Sequence, residues 1–153
     1  MYKRQITGHA VYWDRVSHIK GVGPEMFTRG SLKLPDSGCS LYFQHDKKNL
    51  LANSKAGTLK LWEDDLGLAY EATLPKSATR VIESVQRKDC QGVSVGFVCE
   101  DEDRSFGQRK IKKAQLFELS LVDKPSHATS IKLRSRQDRP KKWTDLILEY
   151  PHA

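Results

Sequence analysis

Gly57-Thr58-Leu59-Lys60-Leu61-Trp62-Glu63, answered by Leu68-Ala69-Tyr70-Glu71-Ala72-Thr73-Leu74, is the stretch that decides the fold class. In the first arm Leu59 and Leu61 fall on one side and Lys60 and Trp62 on the other, the period of two expected of a half-buried strand. Glu63-Asp64-Asp65-Leu66-Gly67 between the arms is turn-forming, so the two read as a hairpin. The same reading extends in both directions. Ile6 to Trp13 is a short strand. Leu32 and Leu34, then Leu41 to Phe43, share the period of two, interrupted at Pro35-Asp36-Ser37-Gly38. Asn49 to Ala52, Val93 to Val98 and Leu116 to Val122 follow as strands, and Thr129 to Leu133 as a last short one.

Helical signals are fewer. Ser77 to Lys88 reads as a helix with Ser77 as its cap, because Val81, Ile82 and Val85 share one face. A short helix at Pro24 to Phe27 is also expected, since proline suits a first helical turn. Glu100 to Ser105 reads as a charged loop and Phe106 to Lys113 as a basic segment. Many short strands with glycine-containing turns and a central helix predict an α+β chain that is mainly β. The architecture expected is a small, partly closed antiparallel β-barrel with packed helices.

Three polar residues stand inside short apolar strand patterns: His45 after Leu41-Tyr42-Phe43-Gln44, Ser94 in Val93-Ser94-Val95-Gly96-Phe97, and Glu118 in Leu116-Phe117-Glu118-Leu119-Ser120-Leu121-Val122. A polar group in such a place must hydrogen-bond or do chemistry. Serine, histidine and glutamate are the types needed for nucleophile, base and orienting acid, so a serine hydrolase is one reading. A satisfied buried network is the other. Strict alternation places Leu116, Glu118 and Ser120 on one face and Phe117, Leu119 and Leu121 on the other. Ser120 is then a candidate donor beside Glu118. Lys112 or Lys113 is the expected salt-bridge partner if Glu118 is only structural. Asp46 would point away from His45 and is given no role in the triad.

The 153 residues suit one domain with a real core. No apolar run approaches the roughly 20 residues that span a bilayer, and the opening Met1-Tyr2-Lys3-Arg4-Gln5-Ile6 does not read as a secretory signal. Cys39, Cys90 and Cys99 have no paired spacing, so neither a disulfide framework nor a zinc site is expected, and a reducing compartment fits. No cofactor and no metal is expected. The net charge of +7 gathers in blocks at Arg104 to Lys113 and Lys132 to Lys142. These would attract acidic partners, or simply form solvated faces and a tail. No motif marks specific nucleic-acid binding.

The ordered set Ile6-Thr7-Gly8-His9-Ala10, Phe43-Gln44-His45-Asp46, Gly67-Leu68, Gly92-Val93-Ser94-Val95-Gly96-Phe97 and Leu116 to Pro125 resembles the prohead (capsid maturation) proteases of tailed phages. That group is related in fold to the herpesvirus assembly proteases. The spacing is 49 residues from His45 to Ser94 and 24 from Ser94 to Glu118. The resemblance covers roughly residues 5–133 and implies a protease domain over 1–133 with a basic tail over 134–153. It implies His45 as general base, Ser94 as nucleophile and Glu118 as third member. The implied partners are the major capsid protein, the scaffolding segment and the chain itself, inside the procapsid in the host cytoplasm, with no membrane. Two stretches depart from the family pattern: Gly23-Pro24-Glu25-Met26-Phe27, and the run Asp46 to Ala52 with alanine in place of glycine. Arg104 and Arg109 are candidates to assist the oxyanion, and His127 is a rival for the third member. The functional alternatives are a scaffold-binding protein without catalysis and a basic nucleic-acid-binding barrel, the latter hinted at only by Trp62 and Tyr70.

Overall fold

A computed structural model describes residues 4–134. The expected basic tail, apart from Arg134, lies outside them. Eleven strands and one α-helix follow in chain order: β1 (Gln5–Tyr12), β2 (Ser17–Ile19), β3 (Gly23–Phe27), β4 (Leu32–Lys33), β5 (Ser40–Phe43), β6 (Asp46–Asn53), β7 (Leu59–Glu63), β8 (Gly67–Thr73), α1 (Thr79–Gln86), β9 (Gly92–Asp103), β10 (Arg109–Val122) and β11 (Lys132–Leu133).

The strands form two open sheets, not the partly closed barrel that the strand pattern predicts. One runs β11-β1-β8-β7 and is antiparallel throughout. It contains the hairpin of β7 and β8, whose buried Leu59 and solvent-facing Lys60 follow the alternation of the sequence. The other runs β2-β3-β10-β5-β6, with β4 and β9 also on β10. β10 is its spine. It pairs antiparallel with β9 along one side and parallel with β3, β4 and β5 in turn along the other. Parallel partners are joined by long connections, so no local pattern announces them. The residues of both sheets meet in one apolar cluster that also takes in Val81 and Val85 of α1.

Three local expectations also change. The segment from Pro24 to Phe27 is strand β3, not a helix. Pro24, lacking an N–H, stands one residue before the pairing with β10 begins at Glu25. The helix begins at Thr79, and no side chain caps it. The charged stretch after Val98 is not a loop. β9 and β10 continue as an arm in which Asp103 faces Lys110 and Asp101 faces Lys113. Opposite charges across a strand pair stabilise it, and each strand alone reads only as polar. Among the described residues, no helix is long and apolar enough to cross a membrane.

Candidate active site

The geometry of the site begins with an interruption in β10. Leu116 pairs with Phe97 and Glu118 with Gly96, which leaves Phe117 without a partner on β9. This extra residue is a β-bulge, and it reverses the side-chain parity. Leu116 therefore lies in the core together with Leu119 and Leu121, while Glu118 and Ser120 share the opposite face. The strict alternation expected from the sequence placed Leu116 with Glu118, and the bulge corrects it.

On that outer face the registers bring a small group together. Ser94 on β9 lies across from Ser120, and Gly96 across from Glu118. Ser40 and Tyr42 on β5 lie across from Glu118 and Ser120 on the other side. Gly96 is needed for its lack of bulk. A Cβ there would stand 3.1 Å from the Glu118 Cβ, so the carboxylate stem lies against β9 at a position without a side chain.

His45 does not extend a strand, as its sequence setting suggested. With Gln44 it forms the two-residue turn between Phe43 and Asp46, which are paired. Both turn residues have positive φ, 51° and 60°, the mark of a type I′ hairpin. Such turns favour asparagine and glycine, so a Gln-His pair here carries backbone strain. The turn is tied down by Gln44 N–H donating to Leu121 O at 2.9 Å. It turns the imidazole back over β10, where Nδ1 meets Glu118 Oε2 at 2.7 Å. The histidine side chain remains 53% exposed, against 13% for Glu118.

Glu118 has two further donors. Ser120 Oγ donates to Oε2 at 3.0 Å, and Lys47 Nζ donates to Oε1. Burial pushes the Glu118 carboxyl up, but hydrogen bonds from Lys47, His45 and Ser120 outweigh it and hold the group below its usual 4.5. The nearby Cys39 thiol is pushed up to about 12 by burial and by the Glu118 charge. It stays protonated and is no rival nucleophile.

The structure thus joins two of the three expected residues directly. Ser94 shares their face, half-buried one strand away, and makes no hydrogen bond to His45 among the described residues. The cation on Glu118 is Lys47, not Lys112 or Lys113. Sequence reading missed it, although its place two residues after His45 was a signal once the turn at Gln44-His45 is recognised.

His127 does not join this group. Its Nε2 meets Glu25 Oε2 at 2.7 Å, and Arg109 Nη1 meets Glu25 Oε1 at 2.7 Å. Arg109 is nine residues from Glu118 along β10, about 30 Å at 3.3 Å per strand residue, and it also binds Glu102. Arg104 binds Glu102 as well. Both arginines are engaged by carboxylates of the charged arm and of β3. No cluster of three or more metal-ligating side chains occurs among the described residues.

Comparison with known proteins assigns the family but no individual residue. No curated protein matches the chain significantly. A family model described as Caudovirus prohead serine protease matches residues 2–142. That span is nearly the whole sequence and includes the His45 turn, the Ser94 strand and the Glu118 bulge, so the chain belongs to the Caudovirus prohead serine protease family, the capsid-maturation serine proteases of tailed phages.

Proposed function

We propose that Ser94, His45 and Glu118 are the catalytic triad of this protease. The observation that carries the assignment is the His45 Nδ1–Glu118 Oε2 bond on the face that Ser94 shares. With Nδ1 held by the carboxylate, Nε2 is left to face a hydroxyl, which is the tautomer a serine protease requires. Ser94 Oγ attacks the scissile carbonyl and gives its proton to His45 Nε2. The same proton then goes to the leaving amine, and water releases the acyl-enzyme by the reverse sequence. Glu118 holds the imidazole and stabilises its protonated form. Catalytic hydrogen bonds are often long without substrate and tighten around it.

The substrates in this reading are the scaffolding sequence and the N-terminal segment of the capsid protein inside the procapsid, followed by the chain itself. The test is co-expression with the capsid protein, wild type against Ser94→Ala, read by intact mass. A defined N-terminal truncation that disappears with Ser94→Ala is expected. A truncation that persists would move the nucleophile elsewhere. Association without truncation in either sample would favour a scaffold-binding protein.

A further inference from the structure

Glu118 carries a donor that a serine, a histidine and an acid do not need. Lys47 follows His45 by two residues, on the far side of the same turn. Its ammonium takes Oε1 while His45 and Ser120 share Oε2. Nζ also lies 4.6 Å from the centre of the Tyr42 ring, within cation–π range. Tyr42 is itself across from Ser120, so the lysine is held from two sides although its side chain is 68% exposed. The hydrogen bond to Glu118, joined by the charge attraction, moves the Lys47 ammonium above its ordinary range. It is charged wherever the enzyme works.

We propose that Lys47 is a positioning residue for the catalytic pair. It locks the Glu118 carboxylate with Oε2 toward the imidazole, and it limits how strongly that carboxylate favours the protonated imidazole. The proposal rests on the triad assignment above. Two physical effects follow from the one contact. A carboxylate rotates broadly about its last torsion, and bonding both oxygens fixes its plane. A cation on one oxygen also opposes a second cation on the other. The base is thereby kept ready to accept a proton and equally ready to return it to the leaving amine.

The remaining charged and titratable neighbours do not replace it. Asp46 and Lys48 are exposed on β6, and Asp46 Oδ1 is engaged by the Lys48 N–H. Cys39, ahead of β5, stays a neutral thiol, and Tyr42 supplies a ring. Among the described residues no other lysine or arginine contacts Glu118.

The experiment follows cleavage of the capsid precursor across pH by wild type, Lys47→Met, Lys47→Arg and Ser94→Ala. Lys47→Met is expected to lower kcat about tenfold with KM within about twofold. It should also move the acid limb of the rate profile up by about one pH unit. Lys47→Arg is expected to restore the limb and most of kcat. An unchanged profile in Lys47→Met overturns the proposal, as does a rise in KM alone, which would place Lys47 on substrate. Failure of the arginine to rescue overturns it too. Equal cleavage by Ser94→Ala and wild type would instead sink the triad assignment itself, so the two failures are told apart. Thermal unfolding of each variant, expected to match wild type for a side chain this exposed, excludes misfolding as the cause.

Discussion

Two histidine–carboxylate pairs in this protein have the same bond length but use different ring nitrogens, Nδ1 of His45 and Nε2 of His127, and have opposite settings. His45 with Glu118 and His127 with Glu25 each meet at 2.7 Å. The side chain of His45 is 53% exposed and that of His127 only 12%. Glu118 lies on a face with three serines, Ser40, Ser94 and Ser120. Glu25 lies under Arg109, and His127 packs its ring against Phe27. The distance alone therefore identifies nothing. The pair we propose for the chemistry is the one with an open imidazole and a hydroxyl across the strand.

The other pair has a structural task. His127 fastens the segment after β10 to β3, and two residues later Thr129 Oγ1 accepts the Val93 N–H at 3.2 Å. That bond covers the edge of β9 just before Ser94. Its Glu25 carboxyl is pushed up by burial, but the bonds from His127 and Arg109 hold it below 4.5 overall. A third pair, His9 with Asp64, is similarly occupied, because Asp64 also accepts the Leu66 and Gly67 N–H groups that close the β7–β8 turn.

The contrast can be broken by experiment. Removing charge from the proposed catalytic pair should strike activity. Glu118→Gln is expected to cut kcat by about 10³ to 10⁴, the scale seen when a triad acid becomes an amide, with a smaller loss of stability than Glu25→Gln. Loss of stability without loss of rate would reverse the roles of the two pairs. Glu25→Gln should do the opposite. It leaves Arg109 and His127 short of a buried charge and is expected to cost about 2–3 kcal/mol of stability by denaturant titration. Its activity per folded molecule should stay within about threefold.

Gly96→Ala is the finer probe. The new methyl must displace Glu118 by a few tenths of an ångström, so a fall of about tenfold in kcat is expected at unchanged stability. A neutral result would mean that the carboxylate has slack.

The smallest effect is in acid. Glu25 and Glu118 both have carboxyls held below 4.5 in the fold. Each contributes its full stability above that value and loses it as pH falls through the lowered one. The stability gap between wild type and Glu25→Gln should therefore narrow below about pH 4.5. A gap that widens there would contradict the sign.

Much of this was legible in the chain. The hairpin of β7 and β8, the helix face of Val81 and Val85, and the candidate residues Ser94, His45 and Glu118 all follow from local pattern and family resemblance. What was hidden is non-local. The bulge at Phe117 reverses which residues share a face, and only the register against Phe97 and Gly96 reveals it. The β9–β10 arm is concealed by its charge, because acidic and basic strands look like loops until they are laid side by side. The parallel pairs that open the predicted barrel into two sheets join segments far apart in sequence, Leu41 with Leu119 among them.

The central claim is that Ser94 is the nucleophile activated by His45. A fluorophosphonate reagent phosphonylates an activated serine and releases fluoride, so peptide mass mapping after treatment reads the nucleophile directly. The account predicts a single adduct on Ser94 in the wild type and its loss in His45→Ala. An adduct on Ser120, or one on Ser94 that persists at full rate without His45, would contradict it.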